Sequence, residues 1–539
     1  MRGGMRIDDR VLLRLRLRWQ RLTSRQLLPH IGSRLNTGRR NDAMKSMCFA
    51  CGAILVSACH LSGETTSMEC VGIEREICAS DTSITAGQAR LTDKCTLTDY
   101  APLMTEDGVW TKALQTALDE HEIVVVPARQ EPYLIDAPIV LPSNRRLEAS
   151  GATVRLAPGV MTVMLRTASS EDGTCRPLPR SGRVSNIAIV GGRWEDCSTA
   201  RCGYGASGRF DLTSRRVGNF YGVSALFYLG RADYVWIRDA TFVHCGGFAV
   251  QSGDGMSHLY ENIRFEDCFA DGLHLNGNLE RIHVRDVRGK VGDDLVALNA
   301  YDWLNSSVNF GPQRAILCED LELVAGDGAG YPAIRLLPAM YRHQDGTIVD
   351  CSISDVIFRR VKGIRTFKMY LQTPPYRIGQ EPEWSAVGSG GNILFEDIDI
   401  DLTGPIDRVG GYASSDPLRG HYAAFEFGAN LSSVTIRDVT VRFHLDRYPL
   451  GHLVTVGPKS ARMPIGEESF EVFDPDVRCA VEGLRIEGLR TFGAPRKLVQ
   501  SISFEDVNQD GRSSGHGVIR NLVITESKTR KGTSHEKQD

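Results

Sequence analysis

The chain has 539 residues and a net charge of −3, with 63 Lys and Arg against 66 Asp and Glu. This length can bury a large core, and 42% hydrophobic with 24% charged residues excludes a wholly disordered chain. The near balance of charge excludes recruitment of nucleic acid or of an acidic membrane by an overall electric field, so we expect no nucleic-acid partner.

The segment from Met44 to Cys59 has the pattern of an export signal. Met44-Lys-Ser-Met precedes an apolar run, Cys48–Val56, and two small residues then precede Cys59. A short basic start, an apolar run too short to span a bilayer, and small residues before a cut are typical of a signal peptide. We therefore predict a signal peptide over 44–59.

Cys59 resembles the cysteine that is lipidated in bacterial lipoproteins. The resemblance implies an exported protein of the cell envelope, in the periplasm or at the outer membrane, whose contact with the membrane is its lipid anchor. Secretion without a lipid and absence of export are the alternatives. Residues 1–43 hold eleven arginines and three acids and are predicted to be a non-native upstream extension, with a nucleic-acid-binding arm as the alternative.

Eleven of the 14 cysteines lie beyond this leader. In an exported protein some of them should pair, and the local clusters are Cys70/Cys78/Cys95 and Cys175/Cys197/Cys202. Three further cysteines lie in strand-like segments and are predicted to be small core residues: Cys245, Cys268 and Cys318.

Residues 60–100 are predicted to form a linker or N-terminal segment, and one amphipathic helix follows at 107–120. Its apolar residues recur at the spacing of one helical face: Trp110, Ala113, Leu114, Ala117 and Leu118. Ile123-Val-Val-Val then has the apolar run of a buried strand. Almost no helical periodicity follows.

Short alternating strands recur instead along the rest of the chain. They include Ile187-Ala-Ile, Val235-Trp-Ile, Ile263-Arg-Phe, Ile282-His-Val, Ile393-Leu-Phe, Val434-Thr-Ile, Leu484-Arg-Ile and Leu522-Val-Ile. Repeats of this length indicate a solenoid, and units of strands and turns without a helix indicate a parallel β-helix, with a β-sandwich or propeller as the alternative. We predict an all-β, right-handed parallel β-helix catalytic domain over 101–526, capped by the N-terminal helix. The apolar-free tail 527–539 is predicted to be disordered.

Two acidic motifs interrupt these repeats. Ala270-Asp-Gly-Leu-His-Leu-Asn carries Asp271, and Gly292-Asp-Asp-Leu-Val-Ala-Leu-Asn carries Asp293 and Asp294, with 22 residues from Asp271 to Asp293. Because 22 residues is close to one coil, the acids should stack outward on adjacent coils while leucines point inward. Neighbouring carboxylates repel and split their pKa values, which supplies an acid and a base for glycosidic-bond hydrolysis. Turn chemistry and a calcium site are the alternatives.

These motifs resemble the Asn-Thr-Asp-Gly and Gly-Asp-Asp motifs of glycoside hydrolase family 28, the polygalacturonases, within the pectin-lyase-like superfamily. The segment from Trp110 to Leu118, followed by Val126-Pro, is similar to the start of that superfamily. The resemblance implies that Asp293 is the general acid, that Asp271 and Asp294 hold the attacking water, and that the anomeric carbon inverts. An inverting pair is expected to stand roughly 6.5–9.5 Å apart.

The chain departs from the family at Phe269-Ala270 and lacks an obvious His-Gly, whose place Gly326–Arg335 takes. The family's Arg-x-Lys is similar to Arg365-Thr-Phe-Lys368, with one extra residue between the basic groups. By the resemblance, the basic residues Arg335, Arg365 and Lys368 are predicted to bind the carboxylate of an acidic substrate, with pairing to structural acids such as Asp355 as the alternative.

The remaining polar residues on these strands, His274, Asn276 and Asn299, are also predicted to bind substrate. Three aromatic residues just beyond the strands are predicted either to stack on sugar rings or to pack at loop bases: Tyr301, Trp303 and Tyr370. Four histidines without metal-ligand spacing are predicted to lie on the surface or in loops: His244, His258, His283 and His343.

The sequence thus predicts a monomeric glycoside hydrolase that cleaves an acidic, pectin-like polysaccharide or oligosaccharide without a cofactor or metal. A calcium-dependent polysaccharide lyase and a non-catalytic carbohydrate-binding β-helix are the alternatives.

Overall fold

The computed structural model describes residues 68–170, 180–199, 225–301, 310–324, 333–342, 348–369, 385–402, 423–443, 452–457, 463–465, 468–470, 478–493, 497–501, 516–525 and 528–530. The predicted upstream extension, the signal peptide and Cys59 lie outside these residues. The described helices are α1 (Met68–Gln88) and α2 (Thr111–Glu120). Neither is long and apolar enough to cross a membrane.

Short strands make up most of the described chain. Those up to the first acidic motif are β1 (Lys94–Thr96), β2 (Ile123–Val125), β3 (Tyr133–Ile135), β4 (Ile139–Leu141), β5 (Arg145–Glu148), β6 (Thr153–Leu156), β7 (Leu165–Thr167), β8 (Val184–Val190), β9 (Arg193–Glu195), β10 (Ala225–Gly230), β11 (Ala232–Arg238), β12 (Thr241–Val243), β13 (Phe248–Gly253) and β14 (Gly255–Glu266). The next are β15 (Leu273–Asn276), β16 (Leu279–Gly289), β17 (Asp294–Asn299), β18 (Gln313–Leu323), β19 (Ala333–Leu336), β20 (Ala339–Arg342), β21 (Ile348–Cys351), β22 (Ile353–Ile364), β23 (Thr366–Met369), β24 (Ser385–Val387) and β25 (Ser389–Leu402). The last are β26 (Ala423–Phe427), β27 (Asn430–Leu431), β28 (Val434–Phe443), β29 (His452–Val456), β30 (Met463–Ile465), β31 (Glu468–Phe470), β32 (Arg478–Val481), β33 (Leu484–Glu487), β34 (Arg490–Phe492), β35 (Lys497–Ser501), β36 (His516–Ile519), β37 (Leu522–Thr525) and β38 (Lys528–Arg530).

Successive coils pair in parallel along two main sheets. In the 22-stranded sheet β11, β14, β16, β18, β22, β25 and β28 follow one another, and in the 11-stranded sheet β10, β13, β15, β17, β19, β23 and β26 do so. The short antiparallel groups β20–β21–β24 and β30–β31 are additions to this stack. The predicted right-handed parallel β-helix is confirmed, and the parallel pairing excludes a sandwich of hairpins.

Alternating side chains fill the interior of the coils. Aliphatic residues stack at inward positions, and an aromatic cluster joins the two sheets through Phe358, Phe367, Phe395, Phe425 and Phe427. Within it, Phe358 lies over Phe395 with ring centroids 5.5 Å apart, and Phe367 lies over Phe425 at 5.4 Å. The alternating triplets of the sequence all lie in strands of the larger sheet. Because residues two apart on a strand face the same side, the apolar residues at both ends of a triplet point together to one face of the sheet.

Helix α2 closes the N-terminal end of this stack, as predicted. It begins at Thr111 rather than at 107 and packs against β2 and β4. Its inward face is buried at Ala113, Leu114, Ala117 and Leu118. The apolar face covers the open end of the core, which a solenoid must protect from water.

Helix α1 was not predicted, because residues 60–100 were assigned to a linker. It crosses the outer face of the larger sheet, contacting β8, β11, β14, β16, β18 and β22. Ile73 and Ile77 pack there against Leu317, Ile357 and Leu394. Its apolar stripe is narrow and its other residues are polar or small, so the periodicity is weak in the sequence.

The structure tests several predictions about single residues. Cys245, Cys268 and Cys318 are buried as predicted, and Cys78 and Cys95 are thiols rather than half-cystines.

The surface assignment is correct for exposed His244 but wrong for His258 and His283, which are buried. Strand β38 pairs with β34 and lies within the segment predicted to be a tail. Cys175, Cys202 and His343 lie outside the described residues.

Candidate active site

Four consecutive strands of the 11-stranded sheet carry the predicted site. In the register of β15, β17, β19 and β23, His274 pairs with Ala297, Ala297 with Arg335, and Arg335 with Lys368. The residues on either side of each of these, such as Leu273 and Leu275, belong to the core. The polar side chains therefore follow one another along a single outward row.

A β-bulge lies next to the acids in β17. Asp294 pairs with Ala333 and Val296 pairs with Ile334, so Leu295 is an extra residue. Both Leu295 and Val296 enter the core. Bulges commonly re-aim a side chain near a functional site. Because two successive residues here point inward, Asp294 and Ala297 on either side of them can both face outward.

The stacking of the acids differs by one residue from the prediction. The ladder between β15 and β17 places Asp294, rather than Asp293, in register with Asp271. The backbone N–H of Asp294 also donates a hydrogen bond to Asp271 Oδ1 at 3.2 Å. The N–H of Gly272 in turn donates to the Asp294 carbonyl at 2.9 Å. Ala297 lies in the outward row, whereas Leu298 points into the core.

The three carboxyl groups are brought together as predicted, and one oxygen of each lies within 4.8 Å of the others. These oxygens lie closer together than the roughly 6.5–9.5 Å between carboxyl groups that is typical of inverting enzymes. The coil spacing explains the difference, because adjacent parallel strands stand only about 4.8 Å apart.

Two of the predicted substrate-binding cations contact these acids. Arg335 Nη2 donates to Asp271 Oδ2 at 3.0 Å, and its Nε lies 2.9 Å from Asp294 Oδ2. Lys368 Nζ donates to Asp293 Oδ1 at 3.1 Å and lies 2.9 Å from Asp294 Oδ1. The alternative partner Asp355 accepts instead from Asn392 at 2.7 Å.

The third predicted cation, Arg365, lies at the corner between β22 and β23 rather than in the outward row. Its side chain is half-buried, and it precedes Thr366, the first residue of β23. The extra residue between Arg365 and Lys368 thus places the two basic groups on different parts of the coil.

The acids differ in their exposure and in their hydrogen bonds. Asp271 and Asp294 are fully buried, whereas Asp293 is 8% exposed. Asp271 accepts hydrogen bonds from His274, Arg335 and the Asp294 N–H. Within the described part of the chain, the oxygens of Asp294 accept no hydrogen bond of good geometry despite their ion-pair contacts.

Burial raises the pKa of Asp294 to about 7, against the opposing attraction of Lys368 and Arg335 and with added repulsion from Asp293 and Asp271. Burial thus favours the protonated form of Asp294. The acid with the raised pKa is the neighbour of the one expected from the family resemblance.

His274 joins Asp271 to the next coil. Its Nδ1 lies 2.6 Å from Asp271 Oδ2, and its Nε2 lies 3.4 Å from Asn299 Nδ2. The imidazole stacks on Phe248, with ring centroids 3.7 Å apart and an interplanar angle of 6°. Two residues predicted to bind substrate, His274 and Asn299, therefore lie together beside the acids.

The structure adds two residues that the sequence analysis missed, Phe248 and Gln251. Both lie on β13, one coil before His274, and Gln251 pairs with His274 in the ladder. Gln251 Nε2 donates to Asn276 Oδ1 at 2.7 Å. The sequence could have indicated both residues, because the segment Phe-Ala-Val-Gln-Ser aligns with the first acidic motif one coil later.

Tyr301 is fully buried in the core, with its ring centroid 5.5 Å from that of Phe310, so packing rather than sugar stacking is confirmed for it. Trp303 and Tyr370, the other two predicted aromatic residues, lie outside the described residues.

A divalent cation fits this cluster poorly. The three acids offer oxygen ligands within 4.8 Å of one another, as calcium requires. However, Arg335 and Lys368 already contact these oxygens at 2.9–3.1 Å and would repel a second cation. The arrangement instead suits proton transfer between carboxyl groups of unequal charge.

No family model matches the chain, and no curated protein matches it. Among solved structures, it is similar to a tailspike protein of E. coli bacteriophage HK620 in complex with a hexasaccharide, at 11% identity and a TM-score of 0.47, covering 80% of this chain and 66% of that chain. It is also similar to a family 28 exopolygalacturonase of Yersinia enterocolitica, at 11% identity and a TM-score of 0.38, covering 80% and 78%. A third is PfbA, a surface adhesin of Streptococcus pneumoniae, at 11% identity and a TM-score of 0.38, covering 76% and 92%. The chain spans about two thirds of the tailspike chain, and identity this low assigns neither a family nor an activity.

Proposed function

We propose that the protein is a glycoside hydrolase that uses Asp271, Asp293 and Asp294. The observation that carries this proposal is the unequal environment of the stacked acids: Asp271 accepts three hydrogen bonds, whereas burial raises the pKa of Asp294 to about 7. Hydrolysis of a glycosidic bond needs one carboxyl group to donate a proton and one carboxylate to activate water.

The proposed roles follow from charge and exposure. Asp294 and Asp293 act as one acidic pair joined by Lys368, with the proton resting on Asp294 and with the partly exposed Asp293 facing the leaving oxygen. Asp271 acts as the base and takes a proton from the attacking water. The leaving oxygen gains one proton from the pair, and exchange with solvent restores both groups.

We propose that the anomeric carbon inverts, for a reason other than the distance between the carboxyl groups. A retaining enzyme needs a carboxylate that touches the anomeric carbon. Asp271 has no exposed surface and accepts three hydrogen bonds, so its carboxylate is held out of reach of an anomeric carbon, and the attacking water must enter with the substrate. Proton NMR of the first product tests this, because a retained anomer would contradict it.

We propose an acidic glycan as the substrate class. Arg335 and Lys368 are the cations beside the acids, and each retains a small exposed edge of 6% and 7%. A substrate carboxylate would compete with the acids for these donors, and a charge-assisted contact is worth roughly 1.5–3 kcal/mol. Activity confined to neutral glycans, or unchanged kinetics in Lys368→Ala, would contradict the assignment.

We also propose export as a lipoprotein anchored through Cys59, on the strength of the apolar run Cys48–Val56 and the small residues before the cysteine. Expression from Met44 in a Gram-negative host with a labelled fatty acid should label the protein. Cys59→Ser should abolish the label, and a wild-type protein that never incorporates it would contradict this proposal.

A non-catalytic carbohydrate-binding protein is the second candidate. The observation in its favour is that Asp271 and Asp294 are fully buried and contact cations, as structural ion pairs do. Binding of polygalacturonic acid without release of reducing ends, unaffected by Asp293→Asn, would establish it. Release of reducing ends that Asp293→Asn abolishes would establish the hydrolase.

A further inference from the structure

We propose that His274 is a positioning residue that holds Asp271 in its ionised, water-activating form, and that Asn299 selects the tautomer that does so. This inference rests on the proposed function. It assigns to His274 and Asn299 a task other than contact with the sugar.

The geometry of His274 is constrained on three sides. Its Nδ1 meets Asp271 Oδ2 at 2.6 Å, the shortest of the three hydrogen bonds that this carboxylate accepts. Its ring lies flat on Phe248 with centroids 3.7 Å apart. The imidazole is fully buried, so its orientation is held by packing.

Asn299 meets the other ring nitrogen. The amide Nδ2 of Asn299 lies 3.4 Å from His274 Nε2, and an amide nitrogen can only donate. With the Asn299 amide in this orientation, Nε2 is the unprotonated acceptor, which leaves the proton on Nδ1 for donation to Asp271. Partners of one ring nitrogen commonly decide the state of the other in this way.

The charge balance of the buried cluster agrees with this tautomer. With Asp294 protonated, the two carboxylates of Asp271 and Asp293 balance the two cations Arg335 and Lys368. A neutral His274 then leaves the cluster without net charge, whereas an imidazolium would add an uncompensated buried charge.

The first experiment measures the pH dependence of kcat/KM for wild type, His274→Ala and His274→Asn, with His244→Ala as an exposed-histidine control. Loss of the donor should move the acidic limb upward by roughly one to two pH units in His274→Ala, the effect of one charge-assisted hydrogen bond. An asparagine amide can replace Nδ1–H, so His274→Asn should restore at least half of this shift. His244→Ala should leave the profile unchanged.

An unmoved acidic limb in a folded His274→Ala, or a His274→Asn no better than alanine, would overturn the positioning role while leaving the hydrolase intact. A raised KM with an unchanged kcat would indicate that His274 contacts the sugar instead. If wild type releases no reducing ends, the proposed function fails. The protonation of the two His274 ring nitrogens then still tests the proposed contacts of His274 with Asp271 and Asn299.

The tautomer is read by ¹⁵N NMR of histidine-labelled protein at pH 7, with the His274 signals assigned by their loss in His274→Asn. We expect a protonated Nδ1 and an unprotonated Nε2, and an altered tautomer balance in Asn299→Ala. A protonated Nε2 in wild type, or no change in Asn299→Ala, would overturn the inference.

Discussion

The backbone N–H of Asp294 donates a hydrogen bond to the carboxylate of Asp271 across two successive coils, at 3.2 Å. This contact ties the two acids to one another through the ladder of the β-helix, so their separation is set by the coil spacing rather than by a flexible loop. It also makes them unequal, because Asp271 receives a donor from Asp294, whereas the Asp294 carboxyl group accepts no hydrogen bond from the residues that the structure describes.

The raised pKa of Asp294 predicts a pH-dependent stability. Its folded pKa of about 7 exceeds the ordinary value of 3.8, so the stability that it contributes is fully present below pH 3.8 and is lost as pH rises through 7. This interval corresponds to roughly 4 kcal/mol of unfolding free energy. Asp294→Asn removes the titration, so its unfolding midpoint in urea should exceed that of wild type at pH 8 and approach it near pH 4. A constant difference across this range would contradict the prediction.

Removal of Arg335 should destabilise the protein because two buried carboxyl groups lose their shared partner. Breaking a buried pair typically costs about 3–5 kcal/mol, and Arg335→Ala should lose that much in urea unfolding at pH 8. The double variant with Asp294→Asn should recover part of the loss, since one fewer charge is then unpaired. Equal losses in the single and double variants would show that packing, rather than charge, is responsible.

Docking of helix α1 should weaken as pH rises. Burial lowers the pKa of His283, but hydrogen bonds with Asp81 on α1 and Glu319 on β18 outweigh it, so the pKa is raised above 6.5. The same contact with His283 lowers the pKa of Glu319 to about 2. The stabilisation is present below pH 6.5 and is lost as pH rises through the raised value.

Hydrogen exchange of α1 measures this effect. Arg285, Arg359 and Arg360 also lie near the ion pair of His283 and Glu319. We expect faster exchange at pH 9 than at pH 6, after correction for intrinsic rates, in wild type but not in His283→Gln. Equal protection at both pH values would contradict the prediction.

Gly272 should be intolerant of a side chain. A Cβ at this position would lie 2.6 Å from the Phe265 ring and 2.8 Å from the Leu295 carbonyl at the bulge. Gly272→Ala should therefore lower stability by roughly 1–3 kcal/mol and displace the adjacent Asp271. Gly72→Ala on α1, where an added Cβ would meet no atom within 4 Å, is the matched control. A Gly272→Ala protein with unchanged unfolding would show that the β15–β17 contact is looser than described.

The fold was predictable because alternating triplets such as Val434-Thr-Ile repeat along the chain and each becomes a strand. The meeting of Asp271 with the Asp293–Asp294 pair was predictable for the same reason, since one coil separates them. The register was not, because β15 and β17 pair with an offset of 23 residues, as His274 with Ala297, and a coil length estimated from sequence does not resolve one residue.

The partners of the acids were also beyond the sequence. Arg335 and Lys368 lie one and two coils away, and the lengths of the intervening segments do not reveal that both stack on the acids. Helix α1 was missed because its apolar residues form a narrow stripe, and Ile73 and Ile77 are buried by tertiary packing against the larger sheet.

Release of reducing ends from polygalacturonic acid and other acidic and neutral polysaccharides, by wild type and by folded Asp293→Asn, tests the central claim most directly. We predict that wild type cleaves an acidic glycan and that Asp293→Asn loses about 10²–10⁴-fold in kcat, since general acid catalysis contributes that much. Asp271→Asn should be similarly impaired, and the double variant should lose little more, because these acids act as one unit. A wild type that binds such a glycan without cleaving it, or an Asp293→Asn variant as active as wild type, would contradict the account.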